Sequence, residues 1–183
     1  MNPYKNKFLI AMPSINDPIF QKSLILMCDY GEDGAMGLII NKPMDDNMLM
    51  NVFSDYDINK LYDDDSKIYF GGPVGLDTCF VLHDSKYCSE DTLSLSKELS
   101  MTSNDQILND IKNNRGPNKY MVTLGYAGWD KNQLDKEIKN GDWLVVPIDN
   151  NFIFKISDDQ KWDISSSHLG FDMNKLSGIS GLT

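Results

Sequence analysis

An α+β fold, with a mostly antiparallel sheet and helices set between its strands, is what this 183-residue chain predicts. Three observations carry that reading. Residues 23–30 and 35–40 are near-continuous apolar runs joined by Gly31-Glu-Asp-Gly34, the pattern of a hairpin buried on both faces. Helix-start signatures at Ser103 and Asp130 are interspersed among strand-like segments. Such a mixture of hairpins and helices favours α+β over a doubly wound parallel sheet.

In chain order, residues 7–12 read as a first strand, and Pro13 with Asp17-Pro18 makes the next stretch a loop. The hairpin follows and ends at Asn41-Lys-Pro43. Residues 48–53 predict a short helix, with Asp45, Asp46 and Asn47 as capping candidates. Asp63-Asp-Asp65 reads as a solvated loop. Residues 67–70 form a strand that runs into Gly71-Gly-Pro-Val-Gly75, and residues 79–83 form another. Residues 92–96 alternate apolar and polar, as a half-exposed strand does. Ser103-Asn-Asp-Gln106 is a capping box ahead of Ile107, Leu108 and Ile111, which share a helical face; Arg115-Gly-Pro117 stops that helix.

Residues 119–143 are the best-specified stretch. Residues 119–125 predict a strand, and Gly125 and Gly128 a glycine turn, with conformations a Cβ would oppose or room for close backbone approach. Asp130 then caps a helix, with Gln133 completing the box and Trp129 and Leu134 as a hydrophobic staple. Gly141 is the stop. Residues 142–147 return as a strand that Pro147 ends or confines to an edge. Residues 152–156 predict a late strand, and residues 159–170 a helix with Trp162, Leu169 and Ile164 inward. The tail at 177–181 reads as loose or lightly docked. Neither repeats nor a domain boundary break the chain, so residues 1–183 are read as one domain.

Composition removes several functions. The formal charge of −10 and pI near 4.5 oppose phosphate backbones and anionic membranes. Arg115 is the sole arginine, which removes the usual bidentate reader of guanine and phosphate. Residues 103–114, with Asn109, Lys112, Asn113 and Asn114, are the best candidate for a DNA-reading helix, but Asp105 and Asp110 stand against it. Cys28, Cys79 and Cys88 are an odd set without CxxC spacing, which predicts free thiols in a reducing compartment. No signal peptide or spanning segment is seen, so a cytoplasmic protein is expected, with no membrane and no direct nucleic-acid partner.

Chemistry-bearing residues are sparse. His83 and His168 are the two histidines. Cys79 and His83 share a strand face but stand about 13 Å apart, too far for a local dyad. An enzyme of hydrolase type would need a cysteine or carboxylate brought to His83 by folding. There is no nucleophile elbow, zinc spacing or cofactor motif, so no catalytic residue, metal or cofactor is assigned. Gly71-Gly-Pro-Val-Gly75 lacks the following helix that a phosphate loop needs. Asp135 and Glu137 fall on different helical faces.

The motifs together, in this order, resemble the YqgE/AlgH family. They are Ala11-Met-Pro13 with Asp17-Pro-Ile-Phe20, Gly34-Ala-Met-Gly37 through Asn41-Lys-Pro43, and Gly71-Gly-Pro-Val74 with Phe80-Val-Leu-His83. Leu124-Gly-Tyr-Ala-Gly-Trp129 with Gln133-Leu134, Trp143-Leu144 and Leu169-Gly170 complete the set. The resemblance implies a bent, partly split sheet that closes into a barrel-like core with helices packed outside. Members are often labelled transcriptional regulators, and no catalytic residues carry over. Tyr30 stands where a histidine is common, and Asn132 where a glycine is frequent.

The reading that results is a cytosolic protein that binds a protein or small-molecule partner, with an indirect part in gene regulation. Its expected ligand-binding residues are Asn41, Gly71, Gly72, His83, Tyr126 and Trp129, on the premise that the glycine turns converge at one end of the sheet.

Overall fold

A computed structural model of the chain describes residues 3–4, 7–52, 67–147 and 150–167. The predicted loop at Asp63–65, His168, Leu169-Gly170 and the tail lie outside them. The described elements run β1 (Lys7–Ala11), β2 (Leu24–Gly31), β3 (Gly34–Ile39), α1 (Asp46–Val52), β4 (Ile68–Phe70) and β5 (Val74–Asp84). They continue with β6 (Thr92–Ser94), β7 (Leu99–Thr102), α2 (Asp105–Lys112), β8 (Tyr120–Asp130) and α3 (Gln133–Asn140). Then come β9 (Trp143–Pro147), α4 (Asn150–Lys155) and α5 (Asp158–Ser167). The strand order is β6-β7-β5-β8-β3-β2-β1-β9, antiparallel throughout, with β4 added to β8 as the one parallel pair. The sheet curls into a half-barrel, so the barrel implied by the family resemblance is realised in open form.

The apolar runs of the first strands have a structural cause: both faces of that part of the sheet are covered. Phe8, Ile10, Leu24, Leu26 and Leu38 point to one side, against Phe152 and Ile153 of α4 and Trp162 of α5. Leu9, Ala11, Ile25, Met27 and Ile39 point to the other, against Trp129, Trp143 and Leu134 of α3. Each such leucine or isoleucine, fully withdrawn from water, stabilises the fold by roughly 1.5–3 kcal/mol. A third cluster, with Leu49, Ile68, Val81, Ile107 and Val122, seats α1 and α2. The Glu32-Asp33 loop closes the predicted hairpin between paired Gly31 and Gly34.

Strand β8 departs from expectation. Gly125 and Gly128 predict a turn, yet the strand continues through both to Asp130. Gly125 takes φ +67, which bends the strand without ending it. Below the bend, β8 pairs with β4 and β5; above it, residues 127–130 pair with β3. One strand thus belongs to both halves of the sheet. Gly71 fills the seam. Its N–H donates to the Leu124 carbonyl and its own carbonyl accepts from the Ile39 N–H. A Cβ on Gly71 would stand 2.3 Å from the Gly125 oxygen, and one on Gly72 only 2.1 Å from the Tyr126 carbonyl carbon.

Other local readings shift as well. Asn104, not Ser103, caps α2, accepting the Ile107 N–H at 3.3 Å. Asp130 stays in the strand, and only the return half of its capping box forms: Gln133 Oε1 accepts the Asp130 N–H at 2.9 Å. Asn132 occupies the cap in a left-handed conformation. Gly141 stops α3 at φ +81, as expected. Residues 152–156 lie in and just after helix α4 instead of a strand, because Phe152 and Ile153 are buried together and Ile156 N–H returns to the Phe152 carbonyl.

Two helices are pinned by polar contacts. On α3, Asp135 accepts from the hydroxyls of Tyr4 and Tyr30 at 3.0 and 2.8 Å. Glu137 Oε2 accepts both indole N–H groups, of Trp129 and Trp143, at 2.8 Å each. On α5, the buried Lys161 ammonium donates to the Ile40 carbonyl and to Asp158, both at 2.9 Å, and lies 5.4 Å from the centre of the Tyr69 ring. Asp158 also accepts from Lys67 at 3.0 Å and from the Tyr69 hydroxyl at 3.2 Å.

Candidate functional site

The bend at Gly125 carries the strand to an uncovered corner of the sheet. Tyr126, Gly128 and Asp130 alternate onto one face of β8, and Met36 and Gly34 lie on the matching rungs of β3. Gly128 and Gly34 present no side chain, which leaves a depression between Met36, Tyr126 and Val74. The cleft measures about 520 Å³, within the usual range for ligand sites. Its floor is apolar and its rim carries Asp29, Glu32, Asp33 and Asp130, with no cationic residue among the described residues of the lining.

Tyr126 is held from below. Its ring packs edge-on to Phe80 with centroids 6.2 Å apart, and Gly75 and Gly128 leave room on either side. Its hydroxyl has no hydrogen-bond partner among the described residues. Val74 forms the wall and is 42% exposed, unusual for a valine in a strand that enters the core.

Of the six expected site residues, Gly72 lies against the backbone of Tyr126 and Gly71 against that of Leu124 and Gly125, and Trp129 joins Tyr126 in the cleft lining. The glycines act from beneath, by letting the two chain segments touch. The Trp129 ring is buried in the α3 contact and bound to Glu137. Asn41 is engaged elsewhere: its side chain accepts the Leu24 N–H and donates to the Lys22 carbonyl, closing the loop before β2.

His83 lies on the rung of Tyr120, six residues along β8 from Tyr126 and so about 20 Å away. It is fully buried. Nδ1 donates to the Asp84 carbonyl at 2.8 Å, which leaves Nε2 to accept from the Thr102 hydroxyl at 2.9 Å. Burial lowers its pKa, and the Asp84 carbonyl only partly offsets this. Neither a cysteine nor a carboxylate side chain hydrogen-bonds it among the described residues. Burial, reinforced by the Asp105 charge, pushes the Cys79 thiol up to about 12, so little thiolate forms at neutral pH. This arrangement suits a structural imidazole. On α2, Asp110 takes the Arg115 guanidinium at 3.3 Å, which occupies the one arginine.

Sequence reasoning missed Met36, Val74 and the carboxylate rim. The signal was partly present: two small residues, Gly34 and Gly128, each flank an aromatic or sulfur side chain at strand spacing. Their pairing across β3 and β8 was not readable from either segment alone.

A family model described as AlgH-like matches residues 8–174. The chain belongs to that family. It is 39% identical to a UPF0301 protein of Shewanella oneidensis, with 99% of each chain covered. It is 40% identical to a UPF0301 protein of Chromobacterium violaceum, covering 95% of this chain and 94% of that one. The solution structure of the AlgH protein from Pseudomonas aeruginosa superposes with a TM-score of 0.76 at 34% identity, covering 100% of this chain and 98% of the other. A crystal structure of protein DIP2367 from Corynebacterium diphtheriae has the same fold, with a TM-score of 0.73 at 20% identity over 97% of this chain and 93% of that one. In this AlgH-like chain the tyrosine at position 30 serves the α3 contact. No described helix is long and apolar enough to cross a membrane.

Proposed function

We propose that this chain is a cytosolic binding module whose Tyr126 cleft receives a basic side chain, lysine or arginine, carried on an apolar stretch of a partner protein. The observation that carries the reading is the half-buried Tyr126 ring, whose hydroxyl is unpartnered among the described residues and whose described surroundings hold four carboxylates and no cation. An aromatic face attracts a cation by roughly 0.5–2 kcal/mol, and the carboxylates add to it. The chain's net charge of −10 steers the same kind of partner toward it. Any influence on transcription then passes through the partner.

The test uses N-acetyl-Leu-Arg-Leu-amide and its citrulline analogue, which keeps the shape and removes the charge. In nitrogen-correlated NMR spectra the arginine peptide is expected to shift the Gly34 and Gly128 amides, and the citrulline peptide to do so at least about tenfold more weakly. Gly128→Val fills the depression without a left-handed backbone to oppose it, since the nearest atom to its Cβ is the Tyr126 ring at 3.3 Å. That variant is expected to abolish the shifts. Equal response to both peptides, or shifts that survive Gly128→Val, would refute the assignment.

A further inference from the structure

A second cleft lies near the other end of β8, between its first residues, β4 and the junction of α4 with α5. It measures about 570 Å³. Its lining has the opposite character. Among the described residues of the lining, Lys67, Lys119, Lys155 and Lys161 contribute four positive charges against the single carboxylate of Asp158. In a chain with 27 acidic and 17 basic residues, that local excess needs an explanation.

The excess is only partly neutralised from within. Asp158 takes both Lys67 and Lys161 as well as the Tyr69 hydroxyl, so one carboxylate serves two ammonium groups. Lys119 and Lys155 are exposed, and their side chains make no ion pair or hydrogen bond among the described residues. Lys161 is 1% exposed. Burying an ammonium costs several kcal/mol before its contacts repay it. Solvent screens its charge less than a surface lysine's, and the Asp158 carboxylate that pairs it is shared with Lys67, so the three groups together keep a net positive charge. Beside the charges lies an apolar wall formed by Met121, Ile153, Phe154 and Ile156.

We infer that this cleft binds a small organic anion, with its acid group toward Lys119, Lys155 and Lys67 and its apolar body against the Phe154 wall. The field of the buried Lys161 adds to the attraction. Asp158 keeps Lys161 and Lys67 in place, and its own negative charge sets a preference for ligands that carry their acid at one end. This site shares no lining residue with the Tyr126 cleft, and its probe is of opposite charge, so the two assignments stand or fall separately.

The experiment compares phenyl phosphate, phenol and inorganic phosphate by nitrogen-correlated NMR of the full chain. Phenyl phosphate is expected to shift amides of residues 119–122 and 153–158. Phenol and inorganic phosphate are each expected to bind at least about tenfold more weakly, since each lacks one half of the recognition. The variant Lys119→Glu/Lys155→Glu alters two exposed side chains, so it should keep the wild-type spectrum elsewhere and lose phenyl phosphate by a similar factor. Lys155→Arg keeps the charge and should retain binding. Equal binding of phenol would remove the anion requirement, and equal binding of inorganic phosphate the apolar one. Either result, shifts at other residues, or undiminished binding by the double variant overturns the inference.

Discussion

Helix α3 meets the sheet through Asp135 and Glu137, each held by two neutral ring donors. Helix α5 meets it through Asp158, held by two ammonium groups and a phenol. Both arrangements satisfy a carboxylate at a helix–sheet contact, but they distribute the cost differently. On α3 only the carboxylate is charged, and both carboxylates stay partly exposed. On α5 a cation is buried completely, so its partners must all be present for the charge to be tolerated. The α3 contact should therefore degrade by degrees, and the α5 contact all at once.

The largest expected effect is at Lys161. Lys161→Met removes the charge and leaves the Ile40 carbonyl and one Asp158 oxygen without their donor. A loss of about 3–5 kcal/mol in urea unfolding is expected. Adding Asp158→Asn should recover little of it, because Lys67 and the Tyr69 hydroxyl still hold the carboxylate. A loss under about 1 kcal/mol for the single variant would erase the contrast between the helices.

Next comes Glu137. Glu137→Ala strands two indole N–H groups and should cost about 2–3 kcal/mol. Glu137→Gln should cost much less. Both indoles meet the same oxygen, and one amide carbonyl has two lone pairs to offer them. If glutamine proves as damaging as alanine, the α3 contact depends on charge after all.

The smallest effect is in alkali, where Lys161 opposes the tyrosines of both regions, since burial and Asp158 also raise the Tyr69 pKa at the α5 contact. Burial and the Asp135 hydrogen bond raise the Tyr4 pKa, and the Asp135 hydrogen bond followed by burial raises that of Tyr30, above the ordinary 10.0. The unfolded chain then loses these protons first, so the α3 contact weakens as pH climbs through 10. Burial lowers the Lys161 pKa below 10.5, with Asp158 opposing it in part. There the folded state releases its proton first, and this group's penalty is relieved as pH rises toward 10.5. Urea midpoints across this range should fall for the wild type, fall less for Tyr4→Phe/Tyr30→Phe, and fall more steeply for Lys161→Met. A flat wild-type profile together with unchanged slopes in both variants would contradict this assignment.

The sequence announced much of this architecture. Apolar runs and the Gly31–Gly34 loop predicted the hairpin, and Gly141 the end of α3. Residues whose role depends on distant chain were harder to read. Gly125 and Gly128 look like a turn locally; they remain in a strand because β3 and β5 supply ladder partners from far upstream. Phe152 to Ile156 suits strand or helix, and the α4 contact with β1 decides it. Leu99 to Thr102 became a strand without a clear signal, between paired β5 and β6. The candidate site was legible at Tyr126 and in its supporting glycines, but not at its acidic rim, which combines the hairpin loop with the end of β8. Lys161 gave no warning except its place beside Trp162 on the inward face of a helix, three residues after Asp158.

The bend at Gly125 has a consequence for the order in which this protein can assemble. During synthesis, β1 to β3 and β5 to β7 emerge early and can pair locally. The edges through which the two groups join, on β3 and β5, are both completed by β8, while the outer edge of β1 waits for β9. Each nascent group therefore waits with an exposed edge until residue 130 has emerged, and one strand then closes both. That places a long-range step late, where unpaired edges are most prone to meet another chain. It also makes the 120–130 segment the point at which two separately started pieces become one cooperative unit.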